Sequence, residues 1–358
     1  MKFADLRVYS RKEMLRMKAK ALVLTDIKKL EIMEIDIREP EDDEVVVDVK
    51  ACGVCGTDLH MFHGDKGAFE NSLPLVMGHE FSGQVSAVGK NVKNFNIGDK
   101  VTVDPNMYCG HCRSCLKGQV HFCENMIGYG TTLYGGFSEK AVVKEKALYK
   151  LPDTISYLHG AMVEPLACCL HGIDRSNIRP GDTVAVIGLG SIGQMMMQLA
   201  LCAGASRIVA IEPIAEKRNT AEKLGAYITI DPTKEDVKEA CKKAGIEALD
   251  TVIECVGRIN TMEMAVDIAS NGATVMLFGL TPPESKITLL PLEQIFKKEI
   301  YITGSFINPL VSQRVIDLIA GGRINLDAVI TDTIPIDNAV EVFENDEYRK
   351  HGKIVITF

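Results

Sequence analysis

The stretch VAVIGLGSIG, residues 184–193, constrains this chain more than any other. Four apolar, mostly β-branched residues read as a strand, and SIGQMMMQLALCAG after them reads as a helix. Between them Gly188, Gly190 and Gly193 stand in G-x-G-x-x-G spacing. The first glycine permits a tight turn, the second lets a pyrophosphate approach the backbone, and the third lets helix and strand pack closely. The helix N-terminus adds amide donors and a partial positive charge for phosphate. Glu212 follows 22 residues after Gly190, at the end of the next strand, RIVAIEP. A carboxylate there accepts ribose hydroxyls and repels a 2′-phosphate, which favours NAD over NADP, although Lys217 and Arg218 could offset part of that repulsion. Gly188, Gly190, Ile192, Gly193, Glu212 and Lys217 are the candidate cofactor contacts. The bland alternative is a glycine-rich turn with no ligand.

From 183 to about 305 strand and helix patterns alternate, as expected of βαβ units with a mostly parallel sheet. From about 19 to 150 the texture differs. KALVLTD, EVVVDVKACG, FSGQVSAVG, DKVTVDP and FSEKAVVKEKALYKLP are β-type runs, and helix signal is scarce. SYLHGAMVEPLACCLHGIDRS, 156–176, has apolar residues at helical spacing. The last fifty residues read as a helix, VSQRVIDLIAGG, a strand pair and a terminal strand, GKIVITF. The fold class expected is therefore α/β plus β.

With 358 residues there is room for two domains. No apolar run approaches the length of a membrane helix. A net charge of −8 argues against nucleic acid or anionic membrane as partner. The first twenty residues are basic without an apolar core, so residues 1–17 are expected to form a disordered extension, with Met14 or Met17 as alternative starts.

Eleven cysteines are more than such a chain needs for packing, and clustered cysteines in a cytoplasmic protein bind metal or do chemistry more often than they pair. Cys109, Cys112, Cys115 and Cys123 stand in C-x2-C-x2-C-x7-C order, suited to a closed tetrahedral structural zinc site. On ligand type alone an iron–sulfur cluster is the alternative. A second group is more open: Cys52, Cys55, Asp58 and His60 in ACGVCGTDLH, His79 and Glu80 in MGHEFSG, and Glu164 further on. A catalytic zinc needs three protein ligands and one open position, which Cys55, His79 and a carboxylate would supply.

The string CGVCGTDLH, GHE, CGHCRSC, EP and GLGSIG, in that order, resembles the zinc-dependent medium-chain dehydrogenases from about residue 18 to the end. The resemblance implies a Rossmann-type doubly wound coenzyme domain, 167–306, and a GroES-like β catalytic domain built from both chain ends, 18–166 and 307–358. It implies two zinc ions per chain, one held by the four cysteines and one by Cys55, His79, Glu80 and Glu164. Glu80 matches an acidic neighbour that joins or leaves the metal. Thr57 and His60 match a hydroxyl and an imidazole that carry the substrate proton to solvent while hydride passes to NAD. Cys168 and Cys169, one turn beyond Glu164, are read as buried small residues. His63, His111, His121, His159 and His171 are read as structural or exposed.

Glu164–Pro165 is the pattern of sorbitol- and polyol-type members, where simple alcohol dehydrogenases have cysteine. Two departures separate the chain from sorbitol dehydrogenases proper: Ile307 and Asn308 replace an Arg-Tyr pair, and the four-cysteine lobe, absent from the animal enzymes, is kept. The reading is NAD-dependent oxidation of a secondary alcohol of a polyol-like substrate, in a cytoplasmic homodimer or homotetramer. Threonine 3-dehydrogenase-like or phosphorylated-polyol activity are the alternatives within enzymes, and a non-catalytic zinc- or redox-responsive binding protein is the alternative outside them.

Overall fold

The computed structural model describes residues 17–65, 72–345, 347–348 and 352–358. The expected extension at 1–17 lies outside them, apart from Met17, which opens the first strand. The N-terminal part contains β1 (Met17–Asp26), β2 (Lys29–Ile37), β3 (Glu44–Gly53), α1 (Gly56–His63), β4 (Leu75–Val76), β5 (Glu80–Val88), β6 (Lys100–Val103), β7 (Asn106–Met107), α2 (Arg113–Leu116), β8 (Ile127–Gly128), β9 (Lys140–Lys144) and β10 (Leu148–Lys150). Two helices follow, α3 (Tyr157–Ala161) and α4 (Val163–Arg175). The sequence pattern reads as one helix here, and Pro165 explains the break. Its ring would strike the carbonyl four residues back, at Ala161, where α3 ends.

The second sheet holds β11 (Thr183–Ile187), β12 (Arg207–Ile211), β13 (Ile228–Ile230), β14 (Thr251–Glu254), β15 (Thr274–Leu277) and β16 (Tyr301–Gly304). They pair in parallel, in the order β13-β12-β11-β14-β15-β16. The helices α5 (Ser191–Ala203), α6 (Ala215–Lys223), α7 (Val237–Lys243) and α8 (Ile259–Ile268) connect them. This is the doubly wound arrangement, with its switch point between β11 and β14. Met195, Met196 and Met197 of α5 are fully buried, as are Val184 and Val186 of β11. Each side chain of that size contributes about 1.5–3 kcal/mol by leaving water.

After α9 (Ser312–Ala320) the chain returns to the first sheet through β17 (Ile330–Pro335), α10 (Val340–Glu344) and β18 (Lys353–Thr357). That sheet runs β10-β6-β5-β3-β18-β17, with β9 also on β3. The fold class expected from the pattern, α/β plus β, is the one observed, and the β sheet draws strands from both ends of the chain, as the resemblance implies. The last fifty residues hold two strands that pair with each other in parallel, where a separate strand pair is expected before the terminal strand. Helices α1 and α7 are not evident in the pattern: α1 sits among β-type runs, and α7 is a short polar segment.

Candidate active site

Cys55 caps the N-terminus of α1 with extended backbone, φ −107° and ψ 157°. Asp58, three residues on, accepts the Cys55 amide at 2.9 Å. Its other oxygen accepts the Gly78 amide at 3.3 Å and lies 3.4 Å from His79 Nδ1. Asp58 is fully buried, so one carboxylate braces both loops that carry candidate ligands. Donor atoms of Cys55, His79 and Glu80 all lie within 4.8 Å of one another. Burial opposes a charge on His79, but Asp58 and Cys55 outweigh it and push the imidazole up.

Glu80 forms an ion pair with Lys353, both almost fully buried. Glu164 stands apart from the set of three. It is buried near the start of α4 and accepts the Cys168 thiol at 3.4 Å. Burial chiefly, with Glu80 and Asp104 adding to it, raises Glu164 to about 7 against the pull of His79. Of the two cysteines read as buried, Cys169 is buried and Cys168 is only partly so. Thr57 and His60 lie three residues apart on α1, hence on one face. Thr57 is half-buried, and His60 is exposed with Nδ1 2.9 Å from Asp65 Oδ2.

The four lobe cysteines likewise have all their sulfurs within 4.8 Å of one another. Backbone amides of His111 and Cys112 hold Cys109 down, to about 6, which favours a thiolate. No cysteine among the described residues is in a disulfide. A groove of about 840 Å³ opens between β2 and this lobe, and none of Cys55, His79 and Glu80 lines it.

At the carboxyl end of β11, Gly188 adopts φ +86°, which a side chain would strain. A Cβ on Gly193 would fall 1.8 Å from the Gly188 carbonyl oxygen, whereas one on Gly190 would meet nothing within 4 Å. The third glycine is thus required by packing, and the second faces open space. Glu212 accepts the Leu189 amide at 2.8 Å through one oxygen and the Ile214 amide at 3.0 Å through the other. Arg218 donates to the Glu212 carbonyl at 2.6 Å and pairs with Asp231 at 3.3 Å. Lys217 and Ile192 are half-buried nearby.

The sequence places Asp58 among the candidate metal donors and Cys168 among buried small residues, and it gives Lys353 no role; the structure makes Asp58 a brace behind the donors and sets Cys168 against Glu164. Asp58 at the third helical position of α1 was a legible capping signal, and Cys168 falls one turn from Glu164. Lys353 carried only the weak signal of a cation opening an apolar strand.

The segment 41–153 matches the alcohol dehydrogenase GroES-like domain, and 191–321 matches the zinc-binding dehydrogenase domain. D-arabitol-phosphate dehydrogenase of Enterococcus avium is 34% identical over 90% of this chain and 92% of its own length. L-threonine 3-dehydrogenase of Bacillus velezensis is 32% identical over 91% and 94%. A zinc-binding dehydrogenase of Sinorhizobium meliloti, solved bound to NADP, superposes with a TM-score of 0.91 at 38% identity, covering 96% of this chain and all of that one. With two domain models matched in series and relatives aligned over nearly their full length, this chain belongs to the zinc-dependent medium-chain alcohol dehydrogenase family.

Proposed function

We propose that the chain oxidises a secondary hydroxyl of a polyol-like substrate to a ketone and passes the hydride to NAD. The observation that carries this reading is the trio Cys55, His79 and Glu80, three unlike donors within 4.8 Å, set apart from a separate four-cysteine cluster. Both donor sets fit zinc: four sulfurs suit a closed site, and thiolate, imidazole and carboxylate suit an open one. Cys55, His79 and Glu80 would hold the catalytic ion, with Glu164 at its margin, and Cys109, Cys112, Cys115 and Cys123 the structural one. Bound zinc supplies Lewis acidity that lowers the pKa of a hydroxyl.

The remaining work falls to this chain's own groups. Asp58, with its carboxylate 3.4 Å from His79 Nδ1, would orient the ring, as a carboxylate behind a ligating imidazole does. Thr57 would accept the substrate proton at its hydroxyl, and His60 would release it at the surface, where Asp65 holds its ring. Gly190 leaves room for a pyrophosphate, and Glu212 would accept the adenosine ribose hydroxyls. The S. meliloti relative was solved with NADP. Here Glu212 opposes a 2′-phosphate, and of the two cations that follow it, Lys217 and Arg218, the second is engaged by Asp231 and the Glu212 carbonyl.

Arabitol phosphate and threonine appear in the names of relatives, and both present a secondary hydroxyl to oxidise. A homodimer or homotetramer belongs to the same proposal. Its support is the open edge of β16, where Tyr301 is 70% exposed, together with exposed Leu290, Leu292 and Phe296 in the segment that leads into that strand. A cytoplasmic location is supported by cysteines grouped as metal donors and free of disulfides among the described residues. Among the described residues no helix is long and apolar enough to cross a membrane.

The test is a panel of polyols, diols, sugar phosphates and threonine with NAD and NADP, followed by absorbance of the reduced cofactor. Cys55→Ala and His79→Ala should abolish turnover while NAD still binds. Turnover retained after zinc is stripped refutes the reading.

A further inference from the structure

Glu80, Gly53 and Lys353 occupy three neighbouring strands, β5, β3 and β18. Gly53 is paired with Glu80 on one side and with Val355 on the other. Lys353 lies two residues before Val355, hence on the same face of the sheet. The Glu80 side chain crosses the bare Gly53 backbone to reach the Lys353 ammonium. A Cβ at Gly53 would lie 2.1 Å from Glu80 Oε2 and 2.9 Å from Lys353 Cε, so the glycine is the space through which the pair meets. Lys353 is 4% exposed and cannot turn to water.

A carboxylate oxygen of Glu80 is at the same time within reach of Cys55 and His79. One carboxylate therefore faces two cationic positions, the ammonium and the candidate metal. Bound together, a thiolate and a carboxylate would cancel the charge of a divalent ion and leave it a poorer Lewis acid. An ammonium sharing the carboxylate restores positive charge to the centre and weakens the hold of Glu80 on the ion.

We propose that Lys353 is a positioning residue that competes with the metal for Glu80, with Gly53 giving it access, and so keeps one coordination position exchangeable for the substrate oxygen. The inference rests on the reading of Cys55, His79 and Glu80 as a metal centre. Lys353→Met removes the charge and keeps similar bulk. In full-length protein loaded with cobalt(II), this variant should show weaker visible bands, typical of higher coordination, because Glu80 stays on the ion. Release of the metal to a chelator should slow by about tenfold or more, the scale on which groups behind metal ligands act. Lys353→Arg should keep the wild-type spectrum, and Lys353→Met combined with Glu80→Gln should return towards it. Gly53→Ala, which drives Glu80 off Lys353 by contact, should move bands and release in the same direction as Lys353→Met, and it carries the test if Lys353→Met does not fold. Wild-type bands and release rates in both single variants overturn the proposal. Absence from the wild type of any cobalt band that Cys55→Ala removes overturns the metal centre itself, a different result from unchanged bands.

Discussion

Replacing Glu212 with Gln tests the cofactor site at the residue on which NAD selection is argued. A carboxylate offers about four lone-pair positions. The Leu189 and Ile214 amides take two, leaving about two for a vicinal ribose diol. Glutamine keeps one acceptor oxygen and turns an NH2 towards an amide or a hydroxyl. The lost bond to a charged acceptor is worth about 1.5–3 kcal/mol, so the Kd for NAD should rise by about 10- to 150-fold. For NADP the sign reverses. A 2′-phosphate about 4 Å from a carboxylate is opposed by about 4 kcal/mol per charge pair at an effective dielectric constant of about 20. Removing that charge should lower the Kd for NADP by about tenfold or more. Titration calorimetry with both cofactors gives the selectivity ratio, and a melting curve separates the backbone contribution, because one buried amide loses its acceptor. A wild type that prefers NADP, or a variant whose ratio is unchanged, refutes the reasoning.

Gly193→Ala would bring a Cβ to 1.8 Å from the Gly188 oxygen. Overpacking of this kind costs about 1–3 kcal/mol, and NAD binding should weaken while elemental analysis still finds two zinc ions per chain. Cys109→Ser should lower that count to one and lower the Tm, because a structural zinc contributes directly to folding. Arg38→Met should destabilise the fold by about 1–2 kcal/mol at pH 7, a figure reduced for screening at half-exposed Arg38. Burial pushes Glu44 up, but Arg38, the Glu41 amide and Lys144 hold it at about 2 against an ordinary 4.5. The stability from that depressed carboxyl is complete above about pH 4.5 and is lost as pH falls towards 2. The difference in Tm between variant and wild type should therefore shrink across that window, and a constant difference would contradict it.

Features encoded by local spacing were legible in the sequence. Gly188, Gly190 and Gly193 act within one strand–turn–helix unit, and the four lobe cysteines lie within fifteen residues of one another. The alternation of patterns between 183 and 305 was enough for a parallel sheet. The apolar spacing of 156–176 reads as one helix, although Pro165 marks the interruption between α3 and α4. Asp58 reads from the sequence as a possible metal donor, and its bracing role stays hidden because its partners, Gly78 and His79, belong to another loop.

By itself the sequence determined the chemistry available: two sets of metal donors, a phosphate-binding turn and a carboxylate suited to ribose. The sequence leaves open whether Glu80 or Glu164 is the resting ligand, since both are carboxylates suited to the ion. Only the tertiary structure separates them. It sets Glu80 beside Cys55 and His79, leaves Glu164 one step back against Cys168, and places Lys353 across Gly53 from Glu80. Strand order and register decide such proximities, and they depend on how remote segments pack, which spacing along the chain does not encode.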